Sequence, residues 1–343
     1  MKRHSLVVVV GLSLALGFVV RELSVQVTLA QGQGRGQQAR PGHQPDGSFV
    51  GPDGTHYVSQ QDFIESGLRC GTREADDLER SANLTGRGPG GGGGGTPPLP
   101  WPGTTQTVGV YVHIIQSSSG EGSATQSQVG RQINVLNGAF SGTGFQFNLI
   151  STDYTLNDTW YVVAPGTTAE RDMKTALHQG TADDLNLYIA HIGGGLLGWA
   201  TFPSNYSSAP WKDGVVVLDD SLPGGNADPY NLGDTGSHEV GHWAGLYHTF
   251  QGGCEAPGDD IEDTPYEENA ASGCPLNTPS TCPGESRFIP VENYMDYSDD
   301  ACMKQFTPMQ YQRMKDMVGY YRYQLNPLTM RSALLKQVRE SLE

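Results

Sequence analysis

The sequence predicts an α+β protein built on a twisted, mostly parallel sheet, and three observations carry that prediction. Between residues 107 and 324, β-branched runs alternate with stretches of helical spacing, the order that builds parallel strands with crossover helices. Gly252–Ser286 shows little periodic apolar pattern, so an irregular region follows the regular one. Residues 31–106 hold too few large apolar side chains for a core of their own, which leaves one folded domain.

Each element has its own signal. Val108–Ile115 alternates and is rich in Val, Ile and Tyr, which reads as a strand. Ser127–Phe140 spaces Val129, Ile133, Leu136 and Phe140 as one face of a helix. Phe145–Ile150 is a second strand, Ala169–His178 a second helix and Leu185–Ile192 a third strand. Asp213–Asp219 carries Val215, Val216 and Val217 and reads as a further strand. Its Asp213–Leu218 part is the candidate edge strand on which an extended peptide could be held. Asp234–Leu246 reads as a helix. In Pro308–Tyr321, Thr307 serves as N-cap, Pro308 takes the first position and Gln310 completes a capping box.

The N-terminal third reads as processing sequence. Lys2, Arg3 and His4 precede the apolar run Leu6–Val20, and Thr28-Leu29-Ala30 offers a small-residue cleavage site. Residues 1–30 are therefore expected to be a signal peptide, with an uncleaved signal anchor as the alternative. Gln31–Gly54 is rich in Gln, Gly, Arg and Pro and is expected to be disordered. A short apolar island from Tyr57 to Leu78 follows, then the glycine tract around Gly91–Gly95 and the proline run Thr96–Pro100, which form a linker. Residues 31–106 are expected to be a segment removed on processing, 107–324 the folded domain, and 325–343 a C-terminal tail. The net charge of −16 argues against a nucleic-acid partner, because phosphate binding needs basic patches. It suits an extracellular protein with carboxylates available for Ca2+. Once the signal is removed, no stable membrane association is expected.

The chemistry is carried by His238-Glu239-Val240-Gly241-His242-Trp243-Ala244-Gly245-Leu246-Tyr247-His248. Two histidines four residues apart share one face of a helix and can reach one ion. Glu239 can reach a water on that ion without ligating it. Gly245 can end the helix and return the chain, bringing His248 in as a third ligand. Three protein ligands leave one position open, the arrangement of a catalytic Zn2+ site. Such an ion brings its water to a pKa of roughly 7 and polarises a peptide carbonyl, while Glu239 takes the proton.

This pattern is similar to the elongated zinc motif of the metzincins, H-E-x-x-H-x-x-G-x-x-H. Asn293-Tyr294-Met295-Asp296-Tyr297 looks like the methionine turn of that clan. The resemblance implies that Met295 forms an apolar floor beneath the metal and that Tyr297 stabilises the tetrahedral oxyanion. Further matches resemble the pappalysin family, in particular its short secreted members similar to ulilysin. They are Leu197–Pro203, Tyr247-His248-Thr249-Phe250, Asp263-Thr264-Pro265, Asn293–Cys302 and Phe306-Thr307-Pro308. Membership implies a metzincin catalytic domain with helices and sheet above a zinc cleft, an irregular lower subdomain, and endopeptidase action on proteins or peptides by a monomer.

The resemblance also supplies details that the residues alone leave open. Four C-terminal cysteines allow three pairings; the family implies Cys254–Cys282 and Cys274–Cys302. The acidic loop Asp259–Thr264 reads either as a solvated surface loop or as a calcium site, and the relatives imply calcium at Asp259, Asp263 and Thr264. Relatives that prefer arginine beside the cut carry an acidic residue just before the last cysteine. Here that position is Ala301, preceded by Asp300, so an aromatic or aliphatic preference is the competing expectation. His113 and His178 read as structural, and His191 as a residue that could line the cleft.

Cys70 is left over from the pairing. A thiolate is a good zinc ligand, and Arg69 and Gly71 beside it suit a segment that enters the metal site and keeps the enzyme latent. Intermolecular pairing or an idle thiol are the other readings. Two further functions stay in play: a peptidase of another metzincin branch, and an inert secreted protein that holds peptides in the same cleft.

Overall fold

The computed structural model describes residues 40–73 and 105–323. The expected signal peptide, linker and C-terminal tail lie outside the described residues. The central sheet contains β4 (Gln106–Gln116), β5 (Phe145–Leu156), β6 (Leu185–Ala190), β7 (Gly198–Ala200) and β8 (Val215–Leu218). Its spatial order is β5-β4-β6-β8-β7, with every pair parallel except the antiparallel β7–β8.

Alternation along the strands separates two apolar layers. Val215 and Val217 face α2 (Gln126–Ala139), α5 (Asp234–Trp243) and α6 (Pro308–Tyr321), joining Val129, Leu136, Val240, Trp243 and Met314 in one core. Val216 and Leu218 face the other way, toward Met173 of α4 (Thr168–Leu177) and toward Trp199 and Tyr230. A short helix, α3 (Asp158–Tyr161), follows β5.

Two expectations need correction. The Val-rich strand is not the sheet's edge, since β8 lies between β6 and β7, and β7 holds the edge position. A run of valines is what burial on both faces produces, whereas Gly198-Trp199-Ala200 is too short to announce itself. The segment at 40–57 is also ordered. It forms a three-stranded antiparallel sheet of β1 (Gly42–His43), β2 (Phe49–Val50) and β3 (His56–Tyr57), followed by α1 (Gln60–Glu65). Its core is borrowed: Phe49 and Phe63 are fully buried and pack on each other and on Tyr230. Composition of the segment alone cannot reveal a core whose other half is supplied by Tyr230, far along the chain.

The irregular region after α5 is cross-linked by Cys254–Cys282 and Cys274–Cys302, each closing 28 residues. With few apolar side chains of its own, it depends on those links. Replacing Cys274 and Cys302 together by alanine is expected to cost about 3 kcal/mol by the loop-entropy argument. The measurement is the denaturant midpoint, with the slope rising somewhat because the unfolded chain is no longer cross-linked and exposes more surface.

Candidate active site

The whole of α5 is buried, although its sequence is mostly polar. Two glycines make that possible. A Cβ at Gly241 would collide with the Met295 sulfur, and one at Gly236 would strike the Gln132 side chain. The methionine turn can therefore press directly on the helix backbone. Gly245, with φ +106°, then turns the chain while its amide bonds His242 O, and Leu246 N bonds Gly241 O. That turn delivers His248, which is 3% exposed, to the other two histidines.

The three rings meet through their Nε2 atoms. His242 Nε2 lies 3.2 Å from His238 Nε2 and 3.0 Å from His248 Nε2. His238 Nδ1 is 2.7 Å from Tyr294 O and His242 Nδ1 is 2.8 Å from Leu246 O. Carbonyl oxygens only accept, so each Nδ1 carries the proton and each Nε2 presents a lone pair. Burial, reinforced at His238 and His248 by neighbouring His242, holds these rings well below the usual histidine range; burial brings His242 to about 4. The Nε2 lone pairs of His238 and His242 point at each other and repel unless a cation lies between them. The donor set fits zinc.

Cys70 Sγ completes the group, 3.7 Å from His242 Nε2, and the residue is buried. Its stretch of chain runs alongside β7, with Leu197 N donating to Leu68 O at 3.2 Å and Gly71 N to Gly198 O at 2.8 Å. Glu239 is completely buried, which pushes its carboxyl up to about 7 against a 2.8 Å hydrogen bond from Thr72 Oγ1. Tyr297 Oη lies 3.2 Å from His248 Nε2, with its ring against Phe250. Met295 has no exposed surface.

Sequence reasoning missed a second buried feature beside these residues. The Arg69 guanidinium is fully buried, 4.7 Å from the Tyr230 ring centroid and 5.8 Å from that of Tyr297. Burial pushes up the carboxyls of Asp300, Asp299 and Asp234, and the Arg69 charge offsets part of that rise. Ala301 faces solvent, whereas Asp300 is buried and accepts from Leu232 N at 2.8 Å.

The acidic loop is brought together only in part. Thr264 Oγ1 lies 2.8 and 2.9 Å from the two Asp259 oxygens. Asp263 instead accepts from Thr307 Oγ1 and Met309 N at the start of α6. The unforeseen acid in this region is Glu267, 1% exposed, which accepts from Thr249 Oγ1 and is pushed up to about 9 by burial and Asp296. His113 is structural, buried between Asp153, Asn186 and the Tyr188 ring. His178 is held low by burial. His191 lies apart from the three converging histidines, 3.1 Å from Asp219 and stacked on Tyr161.

Three converging imidazoles, a buried glutamate between the first two in sequence, and a methionine turn beneath them define a zinc metalloendopeptidase of the metzincin type. Comparison with known proteins narrows the class. The chain is 46% identical over 204 residues to an extracellular metalloprotease of Sordaria macrospora, spanning 59% of this chain and 70% of that protein. It is 43% identical over 208 residues to one from Pyricularia oryzae, spanning 60% and 72%. Residues 182–319 match the peptidase family model described as pregnancy-associated plasma protein-A. The chain belongs to this family, the pappalysins. Among solved structures, mature mirolysin of Tannerella forsythia with a cleaved peptide superposes with a TM-score of 0.57 at 28% identity, over 66% of this chain and all of that one. Promirolysin from the same organism gives 0.58 at 27%, over 64% and 82%.

Proposed function

We propose that this protein is an extracellular endopeptidase made as a latent precursor, in which His238, His242 and His248 hold zinc and Glu239 is the general base. The observation that carries the reading is the convergence of three buried histidine Nε2 atoms next to a buried carboxylate. Zinc bound there supplies Lewis acidity toward a peptide carbonyl and toward water. Glu239 takes a proton from the attacking water and returns it to the departing amine. Tyr297 donates its hydroxyl hydrogen to the oxygen on which charge develops. The β7 backbone holds an extended substrate by strand addition, and the protein acts as a monomer free of the membrane. Among the described residues no helix is long and apolar enough to cross a membrane. The names of the fungal relatives support an extracellular site.

Residues 1–30 are the signal and 31–106 the pro-segment, whose Cys70 thiolate takes the open position. An inert peptide-binding protein would have no use for Glu239. The test of the thiol is spectroscopic: cobalt-exchanged precursor should show a thiolate-to-metal charge-transfer band that Cys70→Ser abolishes. An unchanged spectrum would sink the thiol reading. For Tyr297→Phe we expect kcat to fall about 10²-fold with little change in KM, because the hydrogen bond strengthens in the transition state. A change confined to KM would assign the ring to substrate binding instead.

The buried Arg69 supports a preference for a basic side chain at the pocket of Tyr230 and Asp300. Profiling the activated enzyme on a peptide library decides this; an apolar preference unaffected by Asp300→Asn would refute it. Calcium belongs to the same proposal, held by Asp259 and Thr264 with Glu267 close enough to feel Asp259. Addition of calcium to chelated protein should raise the melting temperature, and Asp259→Asn should remove that rise. A melting temperature indifferent to calcium would overturn it.

A further inference from the structure

Thr72 makes two hydrogen bonds that neither the metal nor Cys70 requires. Its Oγ1 donates to Glu239 Oε2 at 2.8 Å and accepts from Ala200 N at 2.8 Å. The residue is 7% exposed, and its own amide points to Cys70 Sγ at 3.3 Å. Ala200 N belongs to β7, the edge strand, so it is a donor that an added substrate strand would use. The carboxylate oxygen is the group on which the attacking water must place its proton. One hydroxyl thus fills two positions of the productive complex: it accepts where a substrate carbonyl would, and it donates where the water would.

We infer that Thr72 is a second latency residue, one that occupies the general base and the edge strand whether or not the thiol holds the metal. The inference rests on the reading of residues 31–106 as a pro-segment. It gives the segment a division of labour between Cys70 and Thr72, two residues apart, in which only the cysteine depends on the metal. The branched carbon of Thr72 confines its χ1, so the hydroxyl is held in place rather than shared among rotamers.

The consequence is that removing the thiol leaves a partly latent precursor. Full-length Cys70→Ala should cleave a quenched fluorescent peptide slowly, and Cys70→Ala with Thr72→Val should cleave it at least about 10-fold faster. Cys70→Ala with Thr72→Ser keeps the hydroxyl and should stay as slow as Cys70→Ala alone. A readout independent of zinc is amide exchange in chelated protein. Thr72→Val deprives the Ala200 amide of its acceptor, so its exchange should quicken about tenfold or more while that of the α5 amides is unchanged. If the valine variant neither speeds cleavage nor changes Ala200 exchange, Thr72 is not a latency residue. The cobalt spectrum of the precursor reads Cys70 alone, so failure of the thiol reading and failure of this one give different results.

Discussion

Activated enzyme carrying Glu239→Gln should hydrolyse peptides about 10³- to 10⁴-fold more slowly than wild type, with the loss in kcat. The substitution changes little but the proton inventory. Glutamine has the shape of glutamate and can still accept from a neighbouring hydroxyl, but it cannot take a proton from water at neutral pH. KM should move little, since the edge strand and the pocket around Tyr230 remain. Zinc content should also stay at wild-type level, because the Nε2 atoms that converge belong to His238, His242 and His248. His238→Ala is the contrasting variant, expected to lose zinc and activity together. Measuring kcat, KM and bound metal for both variants separates base from ligand. Peptide cleavage that survives Glu239→Gln would refute the mechanism.

Much of this site was legible because its parts are local. The His238–His248 stretch places three imidazoles and a carboxylate within one helix and the turn after it, so spacing alone encodes their convergence. The capping box of α6 is read the same way: Thr307 and Gln310 bond reciprocally at the predicted boundary. Other features depend on chain segments meeting across the fold. Thr72 reaches Glu239 across 167 positions, and Gln60 reaches the Tyr230 hydroxyl across 170. No periodicity announces such contacts. The order of residues 40–57 was hidden for the same reason, because half its core is supplied by Tyr230. Spacing also fails where side-chain direction decides. Asp259 and Asp263 sit in one acidic loop, yet only Asp259 turns toward Thr264, while Asp263 caps α6.

The position of α5 itself rests on a buried ion pair that the sequence does not mark. Arg322, just past α6, has no exposed surface, and Asp213, just before β8, has none either. The guanidinium donates through Nη1 to Asp213 Oδ2 and through Nη2 to Oδ1, both at 2.9 Å, in the forked geometry that suits the two groups. The same two nitrogens reach Ala182 O at 3.0 Å and Trp243 O at 3.1 Å, and the group lies 3.9 Å from the Trp243 ring centroid. One cation therefore ties the end of α5 to the sheet and to α6. Removing either partner leaves the other charged and out of reach of water, so Arg322→Met and Asp213→Leu should each cost about 3–5 kcal/mol. Combining them removes both charges and should recover much of that loss, since apolar side chains of similar bulk replace the pair. Denaturant midpoints for the four proteins of the cycle give the coupling, and zinc content shows whether His242, next to Trp243, stays in register. If each single change costs under about 1 kcal/mol, the pair is dispensable and α5 is held by its apolar contacts alone.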